Sequence, residues 1–162
     1  MEKQVNWNVG LYLAAAKLSE MGLVASPING GNGGADLMVL DPESGRTTAL
    51  QVKTINDRKT FVNVTVGRQN RLGELPLLYN FIVVKKDDGG HRFYIVPRGE
   101  MRNLIREAWR HFVERGEHRR TPNPDSVRPL IVYLSQLTPY EDRWDDIWVN
   151  GRQTKQPEPP RT

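Results

Sequence analysis

Gly33-Gly34-Ala35-Asp36-Leu37-Met38-Val39-Leu40 and, after a short turn, Leu50-Gln51-Val52-Lys53-Thr54 decide how this chain is read. Two β-rich runs, Ala35–Leu40 and Thr47–Thr54, flank Asp41-Pro42-Glu43-Ser44-Gly45. That segment is a strong turn signal, so the pair forms a hairpin. Side chains alternate along a strand, so Leu50 and Val52 suit the core while Gln51 and Lys53 project from the opposite face. A lysine inside an apolar strand is costly unless its ammonium reaches water or an anion. Asp36, opening the neighbouring strand, supplies a carboxylate close by. Together the three offer a carboxylate, an amide oxygen and an ammonium, parts that can hold a divalent cation and a phosphate. The plainer reading is an edge strand with Gln and Lys on its exposed face and Asp36 capping the strand start.

Outward from the hairpin, the pattern is helix, strand, hairpin, helix, strand. Asn8 is a plausible cap for a helix over Gly10–Met21 that stops at Gly22, with Val9, Tyr12, Leu13, Ala16 and Lys17 on one face. Ala15 and Ala16 would let it pack closely on a sheet. Leu23–Ala25 reads as a short strand, followed by the glycine-rich turn Asn29–Gly34. That turn lacks the Lys-Ser/Thr ending of a nucleotide-binding loop. Phe61–Val66 alternates as a half-buried strand, and Arg68–Leu75 as a short helix ended by Pro76. Asn80–Lys85 and Arg92–Val96 form a second hairpin around Asp87–Gly90. Met101, Leu104, Ile105, Ala108 and Phe112 recur at helical spacing over Arg98–Glu114. Gly116–Pro129 reads as an exposed loop, Leu130–Leu134 as a strand, and Tyr140–Trp148 as a last helix or turn. The order predicts an α/β fold with a mixed central sheet covered on both faces. A single domain is expected over residues 1–150, with residues 151–162 a disordered proline-rich tail.

Composition narrows the chemistry. The chain has 162 residues, 38% of them hydrophobic and 26% charged, within the range of an ordinary soluble globular protein. Its formal charge of +4 suits a polyanionic partner without requiring one. With no cysteine, disulfides, thiolate metal sites and a cysteine nucleophile are excluded. His91, His111 and His118 have no metal-ligand spacing, so a metal here would be a hard, oxygen-liganded ion. No apolar run approaches the roughly 20 residues that span a bilayer. The expectation is a cytoplasmic protein with no membrane partner.

In the order helix, glycine-rich turn, Asp36, Gln51-Val52-Lys53, the chain resembles the PD-(D/E)XK nuclease superfamily. It is particularly similar to small prokaryotic members with Gln-x-Lys, of the Mrr type, and in layout to archaeal Holliday-junction resolvases. The resemblance runs from about Val9 to Val96 and implies a restriction-endonuclease-like core. It implies a metal-dependent nuclease hydrolysing DNA phosphodiester bonds, with Mg²⁺ or Mn²⁺ as cofactor. Asp36, Gln51 and Lys53 match the catalytic positions; Asp36, Gln51 and the Val52 carbonyl would face the metal. Gln51 stands where most relatives have a carboxylate. Leu11 stands where many carry an acid early in the first helix, which leaves Glu20 as the extra acid. DNA rather than RNA, and a homodimer, are the partners implied. Arg58, Lys59, Arg68 and Arg71 follow the motif strand, and Arg119 and Arg120 lie in the basic loop; these are the nucleic-acid contacts expected. The alternative is a nuclease-fold protein of weak or no catalysis, acting as a nucleic-acid-binding or assembly subunit.

Overall fold

The computed structural model describes residues 2–28, 35–56, 58–65, 79–87, 90–115 and 129–149. The glycine-rich turn Asn29–Gly34, the helix expected over Arg68–Leu75, most of the Gly116–Pro129 loop and the tail lie outside these residues. Strands β1 (Val24–Pro27), β2 (Leu37–Leu40), β3 (Thr47–Ile55), β5 (Asn80–Asp87) and β6 (Gly90–Val96) form one five-stranded sheet in the order β1-β2-β3-β5-β6. The fold is α/β and the sheet is mixed: β3 and β5 run parallel, and every other neighbouring pair is antiparallel.

The expected hairpin joins β2 to β3, with Leu37 opposite Leu50 and Leu40 opposite Thr47. Its turn is held by Asp41, whose carboxylate accepts the Glu43 and Ser44 N–H groups and the Ser44 hydroxyl. Those bonds, the Ser44 hydroxyl's first, keep the Asp41 carboxyl below its ordinary value. Gly45 closes the turn at a φ of 70°, where a side chain is disfavoured.

Helix α1 (Glu2–Glu20) covers one face of the sheet. Leu11, Ala14 and Leu18 pack there on Leu37, Val39, Leu50, Val52, Ile82, Val84 and Ile95. The helix begins before the expected Asn8 cap, and its buried face differs from the one expected. Val9 and Tyr12 are 45% and 62% exposed, and Ala16 is also exposed. Apolar residues stand on nearly every side of this helix, so periodicity alone does not select the buried stripe. Gly10 explains its close approach to the sheet: a methyl group there would collide with the Thr54 hydroxyl on β3.

The other face is covered by α2 (Arg98–Glu114) and by a second, two-stranded sheet that the sequence does not announce. In it β4 (Phe61–Thr65) pairs antiparallel with β7 (Pro129–Tyr133), Phe61 opposite Tyr133. Val62, Val64, Leu130 and Val132 meet Phe81, Val83, Tyr94 and Val96 of the large sheet, with Met101 and Ile105 of α2. This layer stops short of β1 and β2, where Val24, Met38 and Leu40 are 54%, 43% and 36% exposed on the same face. The chain closes with a helical turn α3 (Leu134–Leu137) and two 3₁₀ turns, Thr138–Tyr140 and Trp144–Trp148. Asn80 anchors the last of these: its amide donates to the carbonyls of Asp146, Ile147 and Val149 at 3.3, 3.0 and 2.8 Å. Its own oxygen accepts the Arg98 N–H at 2.9 Å. No helix among the described residues is long and apolar enough to cross a membrane.

Candidate functional site

β2 accompanies β3 over only four residues, Thr47 to Leu50. From Gln51 to Ile55, β3 pairs with β5 on one side, and among the described residues no strand pairs with it on the other. A strand edge left this way presents backbone groups that need partners. Asp36 supplies one. Its N–H donates to the Leu50 carbonyl at 2.8 Å, and its Oδ2 accepts the Val52 N–H at 2.8 Å. Leu50 and Val52 share a parity, so the Val52 carbonyl also leaves β3 at this edge. Carboxylate and carbonyl are thus presented together where β2 ends.

Gln51 and Lys53 alternate with the fully buried Leu50 and Val52 and are themselves half-buried. They lie on the face opposite α1, at the border between the covered half of the sheet and the open β1–β2 half. Burial holds the Asp36 carboxyl above its ordinary value, against the pull of the Val52 N–H and the Lys53 ammonium. Burial likewise holds the Lys53 ammonium below its ordinary value, against the Asp36 charge. Each group disfavours its charged form in spite of the other. A pair in that condition gains from any further ion that completes it: a cation beside the carboxylate, an anion beside the ammonium.

The donor set bears on which ion. One carboxylate, one amide oxygen and one backbone carbonyl are hard oxygen donors of the kind Mg²⁺ and Mn²⁺ take. With Oδ2 engaged by Val52, Oδ1 of Asp36 is the oxygen left to such an ion. The residues fit a hard divalent cation in kind, with a single acid among them. Among the described residues no group of three or more Asp, Glu or His gathers as a metal site.

Glu20 is exposed at the end of α1 and pairs with Lys17 at 3.1 Å, on the helix that covers the opposite face. Leu11 faces the sheet and is 4% exposed, which accounts for its apolar character. Arg58 and Lys59 are exposed in the turn after β3, with the Lys59 ammonium 5.8 Å from the Phe61 ring centre. Arg68, Arg71, Arg119 and Arg120 lie outside the described residues. A further lysine, Lys85, is buried in the second half of β5, 5% exposed. Parity marks it in the sequence: Lys85 continues the Phe81, Val83 series, whose members face the core.

No family model and no curated protein matches this chain. Among solved structures it is similar to a bacterial homing endonuclease, I-Ssp6803I, at 18% identity and a TM-score of 0.48. The similarity covers 73% of this chain and 97% of the other. At that level of likeness nothing about activity passes from one chain to the other.

Proposed function

We propose that the protein is a metal-dependent nuclease that hydrolyses DNA phosphodiester bonds at the Asp36, Gln51, Lys53 edge. The reading is supported by one observation above others: a carboxylate fixed by the Val52 N–H beside a lysine, both under-compensated, at an edge of β3 that no described strand pairs. It is also supported by the order of these residues, which is that of the PD-(D/E)XK pattern with Gln-x-Lys.

Asp36 Oδ1, the Gln51 amide oxygen and the Val52 carbonyl would hold Mg²⁺ or Mn²⁺. When bound, such an ion lowers the pKa of a coordinated water and neutralises charge on a phosphate oxygen. The Val52 N–H keeps the Asp36 carboxylate from turning away from that role. Lys53 donates to a non-bridging phosphate oxygen, and the phosphate anion restores the ammonium that burial disfavours. The attacking water would give up one proton to solvent as its oxygen bonds to phosphorus, and the bond to one sugar oxygen would break as that oxygen takes a proton from solvent water. Lys53 neutralises the charge that builds on the phosphate meanwhile. A homodimer would bring one such edge to each strand of a duplex.

A second reading, nucleic-acid binding without cleavage, is favoured by the single acid at the edge. Plasmid relaxation assays with Mg²⁺ or Mn²⁺ separate the two. The nuclease reading predicts nicking by the native protein and a loss of at least about 100-fold in Asp36→Ala and in Lys53→Ala. Cleavage that survives both substitutions, or none by the native protein with either ion, would reject it.

A further inference from the structure

Lys85 has no part in the chemistry above, yet it is buried beside the strand that carries it. Its Nζ donates to the carbonyl of Asn56 at 2.8 Å. Asn56 is the first residue after β3, and its carbonyl also accepts the Lys59 N–H at 3.1 Å, closing the turn through Arg58. The far end of the turn is tied as well, since the Leu134 N–H donates to the Thr60 carbonyl at 2.8 Å. The turn carries the chain from the large sheet up to β4, whose Val62 and Val64 lie over the Lys53 face. Arg58 and Lys59 therefore stand on the same side of the sheet as the candidate site, exposed, at the end of the strand that bears it.

Burying an ammonium is expensive. An apolar side chain would fill the same place among Ile55 and Val83 at lower cost. Among what the lysine adds is a donor that fixes the Asn56 carbonyl, the start of the turn in which Arg58 and Lys59 follow Asp57. A strand rises about 3.3 Å per residue, so the turn begins about 10 Å beyond Lys53. A nucleic-acid strand that places one phosphate at Lys53 and runs along β3 would carry its next phosphates past this turn.

We infer that Lys85 is a positioning residue: through the Asn56 carbonyl it fixes the Arg58–Lys59 turn as a clamp on the phosphates flanking the one at Lys53. The inference rests on the phosphate-binding part of the proposed reading, a phosphate held at Lys53. The ligand class is the sugar–phosphate backbone, held by charge and shape without base reading.

Anisotropy of a fluorescein-labelled DNA duplex, titrated in EDTA across a salt series, tests it apart from catalysis. Arg58→Gln/Lys59→Gln should lower the slope of log affinity against log salt by about two, near one for each lost phosphate contact. Lys85→Met, with both turn cations intact, should lower it by at least about one. Added to the double variant, Lys85→Met should lower it no further. A full native slope in Lys85→Met, even with a lower melting temperature, is what a merely structural lysine gives and overturns the proposal. So does additive loss in the triple variant. If Lys85→Met does not fold, an unchanged slope in the surface double variant overturns it alone. A protein that shows these slopes yet never cuts DNA with Mg²⁺ keeps the clamp and loses the nuclease reading.

Discussion

Asp36 and Lys53 are each held away from their charged form by burial and each pulled back by the other. That coupling is measurable one residue at a time. In Lys53→Met the Asp36 carboxyl loses its nearby cation and keeps its burial, so its pKa should rise further. A ¹³C NMR titration of the side-chain carboxyl reads this directly, and an unchanged or lower value would contradict the described electrostatics. The same shifts set the pH dependence of stability. Between the ordinary carboxyl value and the raised folded one, the folded chain holds more protons, so Asp36 makes stability fall as pH rises there. Between the lowered folded value of Lys53 and its ordinary one, the unfolded chain holds more protons, so stability rises with pH. Urea midpoints followed across pH should lose the first trend in Asp36→Asn and the second in Lys53→Met.

Elements in this fold are positioned by a few side chains whose removal has a stated sign. Alanine favours helices over glycine by roughly 1 kcal/mol. Gly10→Ala should nonetheless destabilise the protein, by about 1–3 kcal/mol, because the new methyl meets Thr54 across the α1–β3 contact. Thr54→Ala should recover most of that loss in the Gly10→Ala background; denaturation midpoints that simply add would contradict the contact. Asn80 joins β5 to the last 3₁₀ turn and to the start of α2. Asn80→Ala should cost about 2–3 kcal/mol by leaving buried carbonyls unpaired. Asn80→Asp should cost more, since it sets a carboxylate against three carbonyl oxygens. Equal midpoints for the two variants would contradict the described bonding.

At the scale of the whole molecule, local patterns were legible and distant pairings were not. Strict alternation and the Asp41–Gly45 turn place Asp36 near Gln51 and Lys53 through a hairpin whose register follows from the turn. The period of Met101, Leu104, Ile105 and Ala108 marks α2 with the bounds the structure gives it. Nothing in Phe61–Thr65 reveals that its partner is Pro129–Tyr133, because the pairing is non-local and both runs are short. The α1 face failed for the opposite reason, an excess of apolar residues. The Val52 N–H bond to Asp36 depends on β2 ending early, which alternation does not encode.

Metal binding links the site to global stability. An ion that binds only the folded chain raises its melting temperature. Mn²⁺ at millimolar concentration should therefore raise the melting temperature of the native protein and leave Asp36→Asn unmoved; equal shifts in both would place the ion elsewhere. Where a metal ion and DNA meet this protein is read most directly from the anomalous density of crystals grown with Mn²⁺ and a short DNA duplex. An ion is expected about 2.0–2.3 Å from Asp36 Oδ1 and within ligand distance of the Gln51 amide oxygen and the Val52 carbonyl, with a phosphate oxygen bridging to Lys53. An ion bound away from Asp36, or DNA seated on another face of the sheet, would contradict it.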